Sequence, residues 1–197
     1  MNIYERYGVK PIINLAGAMT RYGGAIVGHE VLDAMDQAAQ YSVPLDQLQA
    51  AASRVISAKT HAEAGIVTCG ASHALTLATA ACICGWNVAR MNRLPFTDDM
   101  PNEVIMPLHH VSGYDHAIQA AGARIILAGV FNDTPDPFRV RPTDRWELES
   151  CITEHTAALL RVHPSNYKIS GFTAEVPLAQ LVQLGRARGL VVIDDVG

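Results

Sequence analysis

The sequence predicts an α/β fold: a mostly parallel sheet with helices on both faces. Three observations predict it. Short apolar segments alternate with segments of helical periodicity along most of the chain. These segments are apolar throughout, as strands buried on both faces are. Glycines and polar side chains follow their ends, where such folds gather functional groups.

The elements follow in order. Lys10 to Gly17 reads as an extended arm, because Pro11 and the Gly23-Gly24 pair argue against a helix there. An amphipathic helix is expected over His29–Gln40, with Val31 and Met35 on one side, and a second over Pro44–Lys59. Gly65 to Gly70 reads as a short strand leading into an Ala-rich helix over Ser72–Gly85. Glu103–Pro107 is the next strand, followed by a polar loop and a helix over Asp115–Ala121. Arg124–Ala128 is another strand, Trp146–Glu154 a helix and Ala157–Val162 a buried strand. Leu178–Arg188 is a helix stopped by Gly189, and Leu190–Ile193 is the last strand. Residues 91–101 and 132–145, rich in Pro and Asp, read as surface loops. The expected organisation is an arm with helices over residues 1–60 and an incomplete large domain over 61–197. The final strand has an inner-strand composition, and the expectation is that the chain is truncated after it.

Composition narrows the function. At 197 residues the chain can build one sizeable core, and 49% hydrophobic against 17% charged residues implies extensive burial. A net charge of −4 gives no basic field for a nucleic-acid backbone, so nucleic acid is not an expected partner. The longest apolar stretch, around Ala74 to Cys84, is too short and too rich in Ala and Thr to cross a bilayer. A soluble, cytoplasmic protein is expected. Cys69, Cys82, Cys84 and Cys151 have no metal-ligand spacing, and the expected metal set is none. The pair Cys82 and Cys84 reads as small hydrophobic residues of a helix.

Four segments carry candidate chemistry. Thr68 to Leu75 runs from a strand through small residues into a helix. Such a turn can aim backbone N–H groups at a phosphate, with Gly70 and Ala71 admitting the ligand and Ser72 offering a hydroxyl. It reads equally as an ordinary turn with Ser72 as N-cap. Leu108 to His116 places His109, His110, Tyr114 and His116 beyond a strand end, where an imidazole could stack on a planar cofactor or move a proton; the alternative is a solvated loop. His163-Pro164-Ser165-Asn166 supplies short polar groups in the same layer, or simply a turn. Asp194-Asp195 ends an aliphatic strand, where a carboxylate needs a partner such as a cationic ring nitrogen, a metal or a ribose. Adjacent aspartates point to opposite sides, so one of them faces the site. A phosphate nest, a stacking ring, ring-oxygen contacts and an acid for a ring nitrogen together match the needs of pyridoxal phosphate.

At this combination the chain resembles the selenocysteine synthase-like and D-glucosaminate-6-phosphate ammonia-lyase-like family of fold-type-I enzymes. The resemblance rests on Gly8 to Asn14 with Gly17, Arg21 and Gly23-Gly24, on Thr68 to Ala74 and on His110 to Ala117. It rests further on Val162 to Tyr167 with Gly171-Phe172-Thr173, and on Ile193 to Gly197. It implies the large domain of a fold-type-I, pyridoxal-phosphate-dependent transferase. Asp195 would pair with the pyridinium nitrogen, and His110, or His109, would lie against the ring face. Gly70, Ala71 and Ser72 would hold the phosphate, and Ser165 or Asn166 would contact the phenolic oxygen. Arg21 and His163 are the candidates for substrate contact.

The implied activity is a lyase or transferase reaction beside the amino-bearing carbon of a small amino acid or aminosugar acid, with ammonia-lyase-like elimination favoured. A homodimer or higher homo-oligomer is implied with it. One departure stands out. The family's covalent lysine comes after the aspartate, whereas Lys10, Lys59 and Lys168 all come before it. The 197-residue chain is therefore expected to be inactive by itself. Alternatives are a catalytically dead remnant serving in binding or assembly, an L-seryl-tRNA(Sec) selenium transferase, and a dinucleotide domain. The last lacks the G-x-G-x-x-G of that fold.

Overall fold

The structure is a computed structural model that describes residues 2–129, 143–165, 168 and 175–197. The chain forms two compact units, Met1–Val67 and Thr68–Gly197.

The first unit holds two short 3-10 turns, Glu5–Tyr7 and Thr20–Tyr22, and the helices α1 (His29–Ala38) and α2 (Leu45–Thr60). The apolar side chains of α1, Val31 and Met35 among them, are exposed. Ile66 and Val67 form no strand, which corrects the strand expected over Gly65–Gly70. The reason is local. The Gln49 side chain accepts from the Val67 N–H at 3.0 Å and donates to its carbonyl at 2.7 Å. One amide side chain thus takes the place of a neighbouring strand and satisfies both backbone groups. The Gly65 N–H is likewise held by Ser53 Oγ at 3.0 Å.

Among the described residues the second unit is built on four strands: β1 (Glu103–Pro107), β2 (Arg124–Ala128), β3 (Thr156–Val162) and β4 (Val191–Asp195). They pair in the order β2-β1-β3-β4, every pairing parallel. The expected α/β class with a parallel sheet is the observed one. The two inner strands are the most thoroughly buried: all of β1 and the first five residues of β3 are buried. The strand β4 has an inner strand's aliphatic composition but stands at the edge of the described sheet, with Val191 54% exposed.

Helices cover both faces. On one lie α3 (Ala71–Cys84) and α5 (His116–Gln119), and the short α4 (Val88–Met91) follows α3. Leu75, Thr79 and Ile83, spaced four apart, put one stripe of α3 inward against Val104, Met106, Ala158 and Leu160, with Ile193 at the margin. On the opposite face lie α6 (Arg145–Ser150) and α7 (Leu178–Arg188). Leu148, Leu181 and Leu184 pack there on Ile105 and Leu159, with Val192 beside them. Each such side chain taken fully from water contributes about 1.5–3 kcal/mol. Asp144 and Glu147 form a capping box that starts α6, and left-handed Gly189 ends α7. Among the described residues no helix is long and apolar enough to cross a membrane.

Strand alternation assigns the end of β4 to its faces. Ile193 belongs with the α3 side and Val192 with the α7 side, so Asp195 follows Ile193 and Asp194 follows Val192. The helix α3 runs against the strands. Its end leads through α4 to the start of β1, while Thr76, in its first half, donates to the Ala117 carbonyl at 2.7 Å. Ala117 lies in the helix that follows the carboxyl end of β1, so α3 begins at the carboxyl edge of the sheet.

Candidate functional site

The carboxyl edge of the sheet gathers most of the polar residues singled out in the sequence. The start of α3 comes first. Its N-cap is Gly70, which corrects the reading of Ser72 as N-cap, since the helix already begins at Ala71. No side chain caps this end, so the first amides of α3 keep their hydrogen-bonding capacity and the positive end of the helix dipole. Gly70 has φ +128° and ψ 173°, a region open in practice only to glycine. No atom lies within 4 Å of where a Cβ would stand, so the backbone here can be approached closely. Ala71 and Ser72 are exposed beside it, and the Thr68 hydroxyl donates to the Gly70 carbonyl at 2.9 Å. The residues fit a phosphate cradle.

At the end of β4 the two aspartates separate. Asp194 accepts from Arg161 Nη1 at 2.9 Å, and Arg161 reaches Glu175 through Nη2 at 3.2 Å. Arg161 is the sequence partner of Asp194 in the β3–β4 register, which is why the two meet. The Asp194 hydrogen bond, together with the two nearby carboxylates, holds the Arg161 guanidinium above its ordinary pKa. Asp195 has no cation beside it among the described residues. Its carboxylate accepts from the Gly197 N–H at 3.1 Å, and its backbone carbonyl takes the His163 N–H at 2.7 Å. Ser165 lies against the same end: a Cβ placed on Gly197 would collide with the Ser165 side chain, so the close approach needs glycine. The His163 side chain is exposed. Asn166 lies outside the described residues, as do Tyr167 and the Gly171-Phe172-Thr173 segment. Arg21 is exposed and belongs to the first unit.

The two histidines after β1 are packed rather than solvated. His110 is only 2% exposed, and His109 is half-buried with its ring 4.4 Å from that of His110, edge to face. The Val162 N–H donates to His110 Nδ1 at 3.3 Å. That bond fixes the tautomer: Nδ1 is the acceptor, so in the neutral ring Nε2 carries the proton. Burial, seconded by His109, lowers the His110 pKa to about 4, and burial also lowers that of His109. Neutral rings are therefore the resting state at pH 7. His110 Nε2 is directed toward Glu175 Oε1, 3.9 Å away, so its ring offers an edge to that carboxylate and little open face to a flat cofactor.

Glu175 and Arg161 were not singled out in the sequence. Arg161 is one basic residue in a buried strand, and that mismatch was the available signal. Glu175 carries none, because only the tertiary fold brings it to His110. The trio His109, His110 and Glu175 has the composition of a metal site. Its polarity is wrong, however, because a ligating imidazole donates its second N–H to an acceptor, whereas His110 Nδ1 faces a donor. Three thiols behave as small apolar groups: Cys84 is in the core, and burial raises the pKa of Cys82 and Cys151, while Cys69 is exposed.

Comparison with known proteins adds four findings. A family model described as L-seryl-tRNA selenium transferase matches residues 114–197. A 5'-C-glycyluridine monooxygenase-decarboxylase from Streptomyces sp is 32% identical over 98% of this chain and 47% of its own length. A D-glucosaminate-6-phosphate ammonia lyase from Salmonella typhimurium is 34% identical over 98% and 50%. A solved structure of D-glucosaminate-6-phosphate ammonia-lyase superposes on the whole chain with a TM-score of 0.89 at 33% identity, covering 51% of that structure. The chain thus spans about half the length of the curated relatives it matches.

Proposed function

Because the chain is a homologue of selenocysteine-synthase-like and ammonia-lyase-like proteins over about half their length, we propose that the whole protein is a pyridoxal-phosphate enzyme. It acts beside the amino-bearing carbon of a small amino acid or aminosugar acid, with elimination of ammonia as its reaction. When bound, the cofactor supplies an electron sink for the pair left on that carbon when a bond breaks.

The observation that carries this reading is the separation of Asp195 from Asp194. Asp194 is neutralised by Arg161 on the α7 side, while among the described residues Asp195 stands without a cation on the side where α3 begins. A carboxylate so placed holds a proton on a ring nitrogen, since a charge-assisted hydrogen bond favours the protonated ring. The amides of Ala71 and Ser72 hold the phosphate at the glycine-lined start of α3. Ser165 donates toward the phenolic oxygen. Arg21 and His163 remain the candidates for the substrate's anionic groups.

On this reading the 197 residues are not active alone, because covalent attachment needs a lysine beyond Lys10, Lys59 and Lys168. The exposed apolar side chains of the first unit, such as Ile13, Leu15 and Ile26, are surface that a homo-oligomer would cover. The acidic net charge favours a small substrate over tRNA.

The test is ammonia release by the full-length protein with pyridoxal phosphate, across amino acids and aminosugar acids including D-glucosaminate 6-phosphate. Release from one class supports the reading. Selenium transfer to seryl-tRNA instead would replace it, and neither activity would leave a binding or assembly module.

A further inference from the structure

We infer that His109, His110 and Glu175 together bind one buried water molecule at the carboxyl end of β1. The first ground is unsatisfied polarity. His109 Nε2 and His110 Nε2 are both fully buried and have no hydrogen-bond partner among the described residues, and His110 is only 2% exposed. Leaving such groups unpaired costs about 1–3 kcal/mol each.

The second ground is complementarity. His110 Nε2 carries the proton, because Nδ1 accepts from the Val162 N–H. The Thr143 hydroxyl donates to the Ala128 carbonyl at 3.2 Å, so toward His109 Nδ1, 3.5 Å away, it offers a lone pair. His109 thus carries its proton on Nδ1, and its Nε2 is an acceptor. The site presents one donor, His110 Nε2–H, and two acceptors, His109 Nε2 and the Glu175 carboxylate. Water has two hydrogens and a free lone pair, the matching set.

One ligand atom from each of the three residues lies within 4.8 Å of the others, and His110 Nε2 stands 3.9 Å from Glu175 Oε1. Polarity decides between water and a metal ion: a ligating imidazole donates its second N–H to an acceptor, whereas His110 Nδ1 accepts from the Val162 N–H. Three polar partners also meet the usual requirement for a buried water.

The experiment is NMR on the full-length protein labelled with 15N in histidine, at pH 7. The expected result is His110 protonated only at Nε2, His109 only at Nδ1, and a cross-relaxation signal from the His110 Hε2 proton to a long-lived water. The His109→Phe variant loses that signal while the His110 tautomer is kept. The inference is overturned by a His110 protonated on Nδ1, or by the His110 Hε2 proton bonded directly to Glu175 without water contact. It is equally overturned by stoichiometric shifts of both Nε2 atoms on adding Zn²⁺. The tautomers are read in the unsubstituted protein, so a variant that fails to fold leaves the test intact.

Discussion

Arg161 on β3 and Asp194 on β4 are register partners whose side chains meet at 2.9 Å on the α7 side of the sheet. Both are largely buried, with side-chain exposures of 16% and 22%. Removing the cation alone strands Asp194 and Glu175. Arg161→Met should destabilise the fold by about 2–4 kcal/mol, toward the range for a broken buried pair. Arg161→Met combined with Asp194→Leu should recover much of the loss. Urea unfolding of both variants checks the pair, and equal losses would mean that packing, not charge, is the cause.

Asp195 answers differently. Asp195→Asn changes no ion pair among the described residues, so stability should move by less than about 1 kcal/mol. Affinity for pyridoxal phosphate should fall about 10–100-fold, the worth of one hydrogen bond to a charged group. Titration followed by absorbance reads this directly, with Asp194→Asn as the comparison that leaves binding nearer to normal.

At Gly70 the conformation itself is tested. A side chain in this φ/ψ region costs about 1–3 kcal/mol. Gly70→Val should therefore lower stability by that amount and weaken binding of inorganic phosphate or of the cofactor. Unfolding and binding measured on the same sample separate the two effects.

The pH dependence follows from His110. Its pKa falls from 6.5 to about 4 in the folded protein, because burial disfavours the charged ring. The unfolded chain thus takes up a proton that the folded chain resists. Stability is fully present above pH 6.5 and is lost as pH falls toward 4, by on the order of 3 kcal/mol. His109 acts in the same direction. Urea unfolding between pH 7 and pH 4.5 should show this slope, and His110→Gln should flatten it.

Much of the fold was legible because apolar runs and helix stops are local signals. Glu103–Pro107, Arg124–Ala128 and Leu178–Arg188 have the boundaries expected from the sequence. The segment at Ile66 and Val67 misled, since its pattern is a strand's and only Gln49, eighteen positions earlier, replaces the partner. The opposed aspartates were legible from the two-residue repeat of a strand. The His110 environment was not, because Glu175 and Val162 reach it only through the fold.

Cofactor attachment is tested most directly by the intact mass of the protein expressed from its own gene, after borohydride reduction with pyridoxal phosphate, with the adduct placed by peptide mapping. One cofactor adduct per chain is expected, on a lysine other than Lys10, Lys59 and Lys168. No adduct, or an adduct on one of those three, would contradict it.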